Sequence, residues 1–220
     1  MSTNNLKKIS IAAGAAGIIA QTGDTALPKG RLTARPQEVD ELLAGIKSDS
    51  AEKRTKTWQS AGQVGAPAVK SLAKVMTGDN LEVARAAKRA LWQIVRYTGR
   101  PGANRQRRAV VVELTALLGA EQPVAIRREV LWMLSEIGGR RDIEPISGLM
   151  KNEDLREDAR MALERMPNRR ALAALKEAFE VAPEDFKPNL AQSLRKRGEE
   201  VAGYLCRKLV PTKKTDVKPL

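Results

Sequence analysis

A pattern of apolar residues that returns about every thirty positions constrains this chain more than any other feature. It is clearest from Leu155 to Met166, where Leu155, Ala159, Leu163 and Met166 fall on one face of a helix and Arg156 directly follows the first of them. The same frame reappears as Ile126, Arg127, Val130, Leu134, Ile137 and Gly138. It returns as Val83, Ala87, Leu91 and Ile94, with Arg85 one place late, and as Phe186, Lys187, Leu190 and Leu194, ending at Gly198. A degenerate first copy holds Arg54, Ala61, Val64 and Gly65. With Ala61, Leu91, Leu134, Leu163 and Leu194 as equivalents, the steps are 30, 43, 29 and 31 residues. The long step predicts an insertion in the third unit.

Each copy follows a shorter apolar stretch: Val39 to Ile46, Val69 to Met76, Val110 to Leu118, Ile143 to Met150 and Leu172 to Phe179. Asp49 with Glu52, and Asp79 with Glu82, have the spacing of a capping box. Gly65, Gly99, Gly138 and Gly198 follow the second stretches, where a left-handed helix end suits glycine. Aromatic residues are only 3% of the chain, and small aliphatic side chains suit close-packed helices better than sheets. The expectation is an all-α solenoid of five helix pairs plus a closing helix from about Glu199 to Leu209. Each pair exposes an apolar face that only its neighbours can cover.

This frame resembles the HEAT repeat, especially the short bacterial type related to PBS-lyase HEAT-like repeats. The resemblance covers about four-fifths of the chain, is good around Arg127 and Arg156, and is poor in the first unit. It implies a scaffold fold, and it implies a structural role for Arg54, Arg127, Arg156 and Lys187, bridging to groups of adjacent repeats. A ligand-binding ladder is the alternative role for those four. By the same resemblance, a chromophore-lyase-like accessory subunit ranks third among the functions.

Catalysis has little to work with. There is no histidine, which removes His-based triads and His-bound zinc, and the one cysteine, Cys206, can form neither an intrachain disulfide nor a Cys-based metal site. Cys206 reads as a small apolar residue. No phosphate-binding loop, dinucleotide fingerprint or carboxylate dyad is visible. We expect no enzyme activity, no cofactor and no metal. The net charge of +13 admits anionic partners, but charge spread along a chain is also the mark of an ordinary solvated surface.

Two sets of residues are binding candidates. Trp58, Trp92 and Trp132 lie six or seven residues before the glycine that ends each second stretch, each with a base four positions earlier: Arg54, Lys88 and Arg128. That spacing allows cation–π contact within one helix and an aromatic strip across stacked repeats; packing between repeats is the plainer role. The second set is the insertion, Tyr97 to Arg108, read as a loop because of Gly99, Pro101 and Gly102. It carries Arg100, Arg105, Arg107 and Arg108, with Arg96 just before it and no acid. Phosphate or an acidic protein surface would suit it, and an exposed loop whose last arginines open the next helix is the alternative.

The ends differ from the middle. Lys7 and Lys8 precede the uncharged run Ile9 to Ala20, which matches a secretory signal peptide over 1–20 and is too short to span a bilayer. An irregular leader (21–36, with Pro28, Gly30 and Pro36), a repeat domain (37–210) and a disordered basic tail (211–220, with Lys213, Lys214 and Lys218) complete the expected organisation. The expected function is a non-catalytic, exported scaffold that binds an unknown protein. Its rival is a nucleic-acid-binding protein using the arginine-rich insertion, which is not favoured; without the signal peptide the chain would be cytoplasmic.

Overall fold

The computed structural model describes residues 34–204. Within them the apolar register folds as ten α-helices: α1 (Pro36–Ile46), α2 (Ala51–Ser60), α3 (Val69–Val75), α4 (Leu81–Gly99), α5 (Asn104–Ala116), α6 (Val124–Ile137), α7 (Ile143–Gly148), α8 (Arg156–Arg165), α9 (Arg169–Val181) and α10 (Lys187–Lys196). No strand occurs among the described residues. The helices pair as five antiparallel hairpins, α1/α2 to α9/α10, and each second helix packs on the second helix of the next hairpin. The molecule is an all-α solenoid of helical repeats.

The stack is held by the positions that define the register. Ala61, Leu91, Leu134, Leu163 and Leu194 are all buried, within one continuous apolar cluster that runs from Val39 to Leu194. A fully buried leucine of this kind stabilises by roughly 1.5–3 kcal/mol. Antiparallel pairing has a geometric consequence. Every turn within a hairpin lies at one end of the helices, and every turn between hairpins lies at the other. The solenoid therefore has two edges.

Several local expectations are corrected. The insertion is mostly helix: α4 continues to Gly99, and α5 already begins at Asn104. Thr98 is buried within the last turn of α4, its hydroxyl satisfied by the carbonyls of Ile94 and Val95 at 2.9 and 3.2 Å. Only residues 100–103 remain as a turn, so Arg105, Arg107 and Arg108 stand on α5. The caps fall one residue later than expected. Ser50 accepts from the Lys53 amide at 3.2 Å, and Asn80 from the amides of Glu82 and Val83 at 3.1 and 3.2 Å. Of the four glycines, Gly65 and Gly198 have positive φ (69° and 86°), whereas Gly99 is helical and Gly138 is extended at φ −63°, ψ 164°. Gly138 is needed for space: a Cβ there would lie 2.5 Å from the Leu134 carbonyl oxygen.

Residues 199–204 are not helical. Arg195 donates to the carbonyls of Val201 and Tyr204 at 2.9 and 3.0 Å, and also to that of Gly203, so this segment folds back over the end of α10. The expected closing helix is absent there, and its continuation to Leu209 lies outside the described residues. So do Cys206, the 1–20 segment, nearly all of the 21–36 leader and the 211–220 tail. Residues 34–36 are the exception in the leader: Arg35 caps α1 and Pro36 opens it. Among the described residues no helix is long and apolar enough to cross a membrane.

Candidate functional site

The second-helix faces form a continuous strip in which each hairpin reaches the next. Trp58 on α2 lies under the guanidinium of Arg89 on α4, 5.8 Å from the ring centre. Trp92 donates its indole N–H to Glu129 on α6 at 2.5 Å, and Lys88 pairs with the other oxygen of that carboxylate at 2.6 Å. Arg96 stacks on Trp92 at 5.8 Å. Trp132 on α6 meets Arg165 of α8 at 5.8 Å, and Arg165 also bonds Glu136. All three tryptophans are half-buried.

The bases expected to sit on these rings do something else. Arg54 donates to the carbonyls of Ser48 and Asp49 at 2.7 and 2.9 Å. Lys88 takes Glu129, and Arg128 takes the Asp154 carbonyl (2.7 and 3.1 Å) and the Asp158 carboxylate (3.4 Å). A full charge or a carbonyl within reach outcompetes a ring face, whose pull on an exposed cation is worth only about 0.5–1 kcal/mol. The ring partners come chiefly from the following repeat, which spacing within one helix could not show.

The four recurring bases are all engaged at the within-hairpin edge. Arg127 is only 7% exposed and donates from Nε to the Leu118 carbonyl at 3.0 Å, closing the end of α5. Arg156 pairs with Asp185 of the next hairpin at 2.5 Å and lies over the Phe186 ring at 4.9 Å. Lys187 pairs with Glu184 at 2.8 Å.

An ionic cluster around the buried Arg160, which the sequence reading missed, joins α8 to α10. Arg160, 8% exposed, binds Glu157 at 2.5 and 3.0 Å and Glu164 at 2.8 Å, and contacts the Ser193 hydroxyl. Lys196 reaches the second oxygen of Glu164 at 2.5 Å. Burial alone would raise the Glu164 carboxyl; hydrogen bonds from Lys196 and Ser193 and the charges of Arg160 and Lys196 outweigh it, holding the group below the ordinary carboxylate value. Glu157 is lowered in the same way, burial being outweighed by its bonds to Arg160 and Asn189. Every oxygen of the cluster faces a cation or a donor, so it is built to join repeats and not to move protons. Arg197 completes the joint by donating to the carbonyls of Leu163, Glu164, Met166 and Asn168 at 2.7–3.3 Å, where the end of α8 leaves acceptors open.

The arginines of the expected loop are split. Arg100 folds onto the Tyr97 ring at 3.7 Å and donates to Gln106 at 3.0 Å. Arg107 bonds Asn104 at 2.7 Å. Arg105 and Arg108 are exposed.

No family model matches the chain, and no curated protein does. Among solved structures, two described as engineered proteins are 19% and 18% identical, with TM-scores of 0.37 and 0.39; they cover 72% and 71% of this chain and 78% of each of theirs. A designed armadillo repeat protein is 12% identical with a TM-score of 0.28, covering 72% of this chain and 99% of that one. The assignment as stacked helical hairpins stands on the packing described above.

Proposed function

We propose that this chain is a non-catalytic scaffold of the HEAT-like type that binds a protein partner along its second-helix face. The observation that carries this reading is the tryptophan strip. Trp58, Trp92 and Trp132 recur on three successive second helices, half-buried and each in contact with an arginine. Large aromatic groups already fixed in place lose little freedom on binding, which is what makes such residues effective anchors. In this reading Arg54, Arg127, Arg156 and Lys187 shape the repeats and do not touch the partner. The run from Lys7 to Ala20 directs export, and N-terminal sequencing of the native protein tests that: a start at Met1 or Ser2 counts against it.

Photo-crosslinking in the source cells tests the binding face. Crosslinkers at Lys56, Arg89 and Gln192, exposed on second helices, should yield a protein adduct that Trp58→Ala and Trp132→Ala diminish. Crosslinkers at Val112 and Lys176, exposed on first helices, should not. Equal adducts from both faces would overturn the reading.

A further inference from the structure

The edge formed by the between-hairpin turns carries six exposed arginines without a protein partner. Arg105 and Arg108 stand at the start of α5, Arg140 and Arg141 in the turn before α7, and Arg169 and Arg170 at the start of α9. None of their guanidinium groups has a hydrogen bond or ion pair among the described residues. Of the acids at this edge, Asp142 is buried, its carboxylate taken up by the Gly139 amide at 2.7 Å and the Thr115 hydroxyl at 3.1 Å, and Glu136 is paired with Arg165. Arg140, Arg141 and Arg170 converge on one open groove of about 490 Å³; Glu144 and Glu177 also line it and make no ion pair with them.

Helix polarity gives a second, independent sign. The N-terminus of a helix is its positive end, where a cation is disfavoured and an anion welcome. Helices α5 and α9 have no acid in the first turn and place Arg105, Arg107, Arg169 and Arg170 there instead. The Asn168 side chain caps α9 by accepting from the Ala171 amide at 2.9 Å, and Asn104 holds Arg107 at 2.7 Å, but these are neutral groups; an external anion would supply the missing negative charge.

The chemistry of the anion follows from the layout. Guanidinium forks match phosphate oxygens two at a time, and every one of these unpartnered bases is arginine. The three groups sit on successive hairpins, and packed helices lie roughly 8–10 Å apart, so the charges extend over about 20 Å. That suits a regularly charged polymer better than a compact ion. Among the described residues the large exposed apolar side chains Leu81, Val112 and Val181 lie outside these turns and offer no wedge for a bilayer there. The aromatic side chain at this edge, Tyr97, packs against Gly62 and is covered by Arg100 at 3.7 Å, and the tryptophans belong to the second-helix face, so among the described residues no open ring stands beside the six arginines to stack on unpaired bases.

We infer that this edge binds the phosphate backbone of double-stranded nucleic acid, without reading its sequence. The inference uses none of the strip residues and does not depend on the protein-binding proposal. Export is compatible with it, because nucleic acid is also met outside cells.

Titrating the full chain with short random-sequence duplexes tests it, by fluorescence anisotropy between about 50 and about 200 mM salt. The logarithm of the affinity should fall linearly with the logarithm of salt, and Arg140→Gln with Arg141→Gln should flatten that slope by about two units. Arg169→Glu with Arg170→Glu should weaken binding at least tenfold while raising the thermal midpoint, so that lost binding cannot be lost folding. Lys88→Gln, on the second-helix face, should leave duplex affinity unchanged. No binding at low salt, binding indifferent to both double variants, or tighter binding to single strands, polyglutamate or anionic phospholipid vesicles would each overturn the inference.

Discussion

The two edges of this solenoid use the same residue in opposite ways. At the within-hairpin edge arginine is an internal connector: Arg54, Arg127, Arg128 and Arg156 each hold a carbonyl or carboxylate, while Glu52, Glu82, Glu157 and Asp158 occupy the first turns of second helices, where acids are favoured. At the between-hairpin edge Arg165 and Arg197 still join repeats, but Arg105, Arg108, Arg140, Arg141, Arg169 and Arg170 hold nothing in the described chain. Residue type therefore says little about role in a repeat protein. The turn on which a residue sits, and the acceptors its neighbour supplies, decide it.

Substitutions can break or sharpen that contrast. The largest effect belongs to the core beneath both edges. Leu134→Ala, at a fully buried position, should cost about 2–5 kcal/mol in urea unfolding and loosen hydrogen-exchange protection on both edges together. Arg127→Ala comes next at about 1.5–3 kcal/mol, because it strips the Leu118 carbonyl of a buried, charge-assisted partner. Arg141→Ala should stay within about 0.5 kcal/mol of the parent. Similar losses from Arg127→Ala and Arg141→Ala would erase the distinction. Arg169→Glu should go the other way and stabilise by about 0.3–1 kcal/mol, as an acid replaces a cation at the start of α9.

The subtlest test is the acid limb of stability. Glu157 and Glu164 have folded pKa values below the ordinary 4.5, so the unfolded chain binds their protons first. Their contribution is complete above that value and is lost as pH falls through the lower folded one. Glu164→Gln should remove part of that loss and lower stability at neutral pH. Arg140→Gln with Arg141→Gln should leave the acid limb unchanged, since those arginines pair with no carboxylate among the described residues.

How much of this was legible in the sequence depended on whether one helix or two adjacent hairpins decide the outcome. The five hairpins were readable because Leu91, Leu134, Leu163 and Leu194 repeat with a period that the core must obey. The extent of α4 was not, because Gly99, Pro101 and Gly102 make Tyr97 onward read as loop, whereas burial of Thr98 and the packing of Ile137 over Gly99 carry the helix to that glycine. The residues of the tryptophan strip were found, but Arg89, Arg165 and Glu129, which hold it, come from neighbouring second helices 31 to 37 positions away. The arginine edge was only partly visible. Residues 100–108 stood out by density, whereas Arg140–Arg141 and Arg169–Arg170 are short pairs whose common place appears only once the turns align.

Distances between spin labels on the between-hairpin edge test the linear stack most directly. With Cys206 replaced by serine, labels introduced pairwise at Gly102, Arg141 and Arg170 report three separations. A stack predicts that the outer pair, Gly102 and Arg170, lies about twice as far apart as either neighbouring pair, which are separated by roughly 10 Å per hairpin. Three comparable distances would mean helices gathered around one centre, and both edges described here would cease to exist.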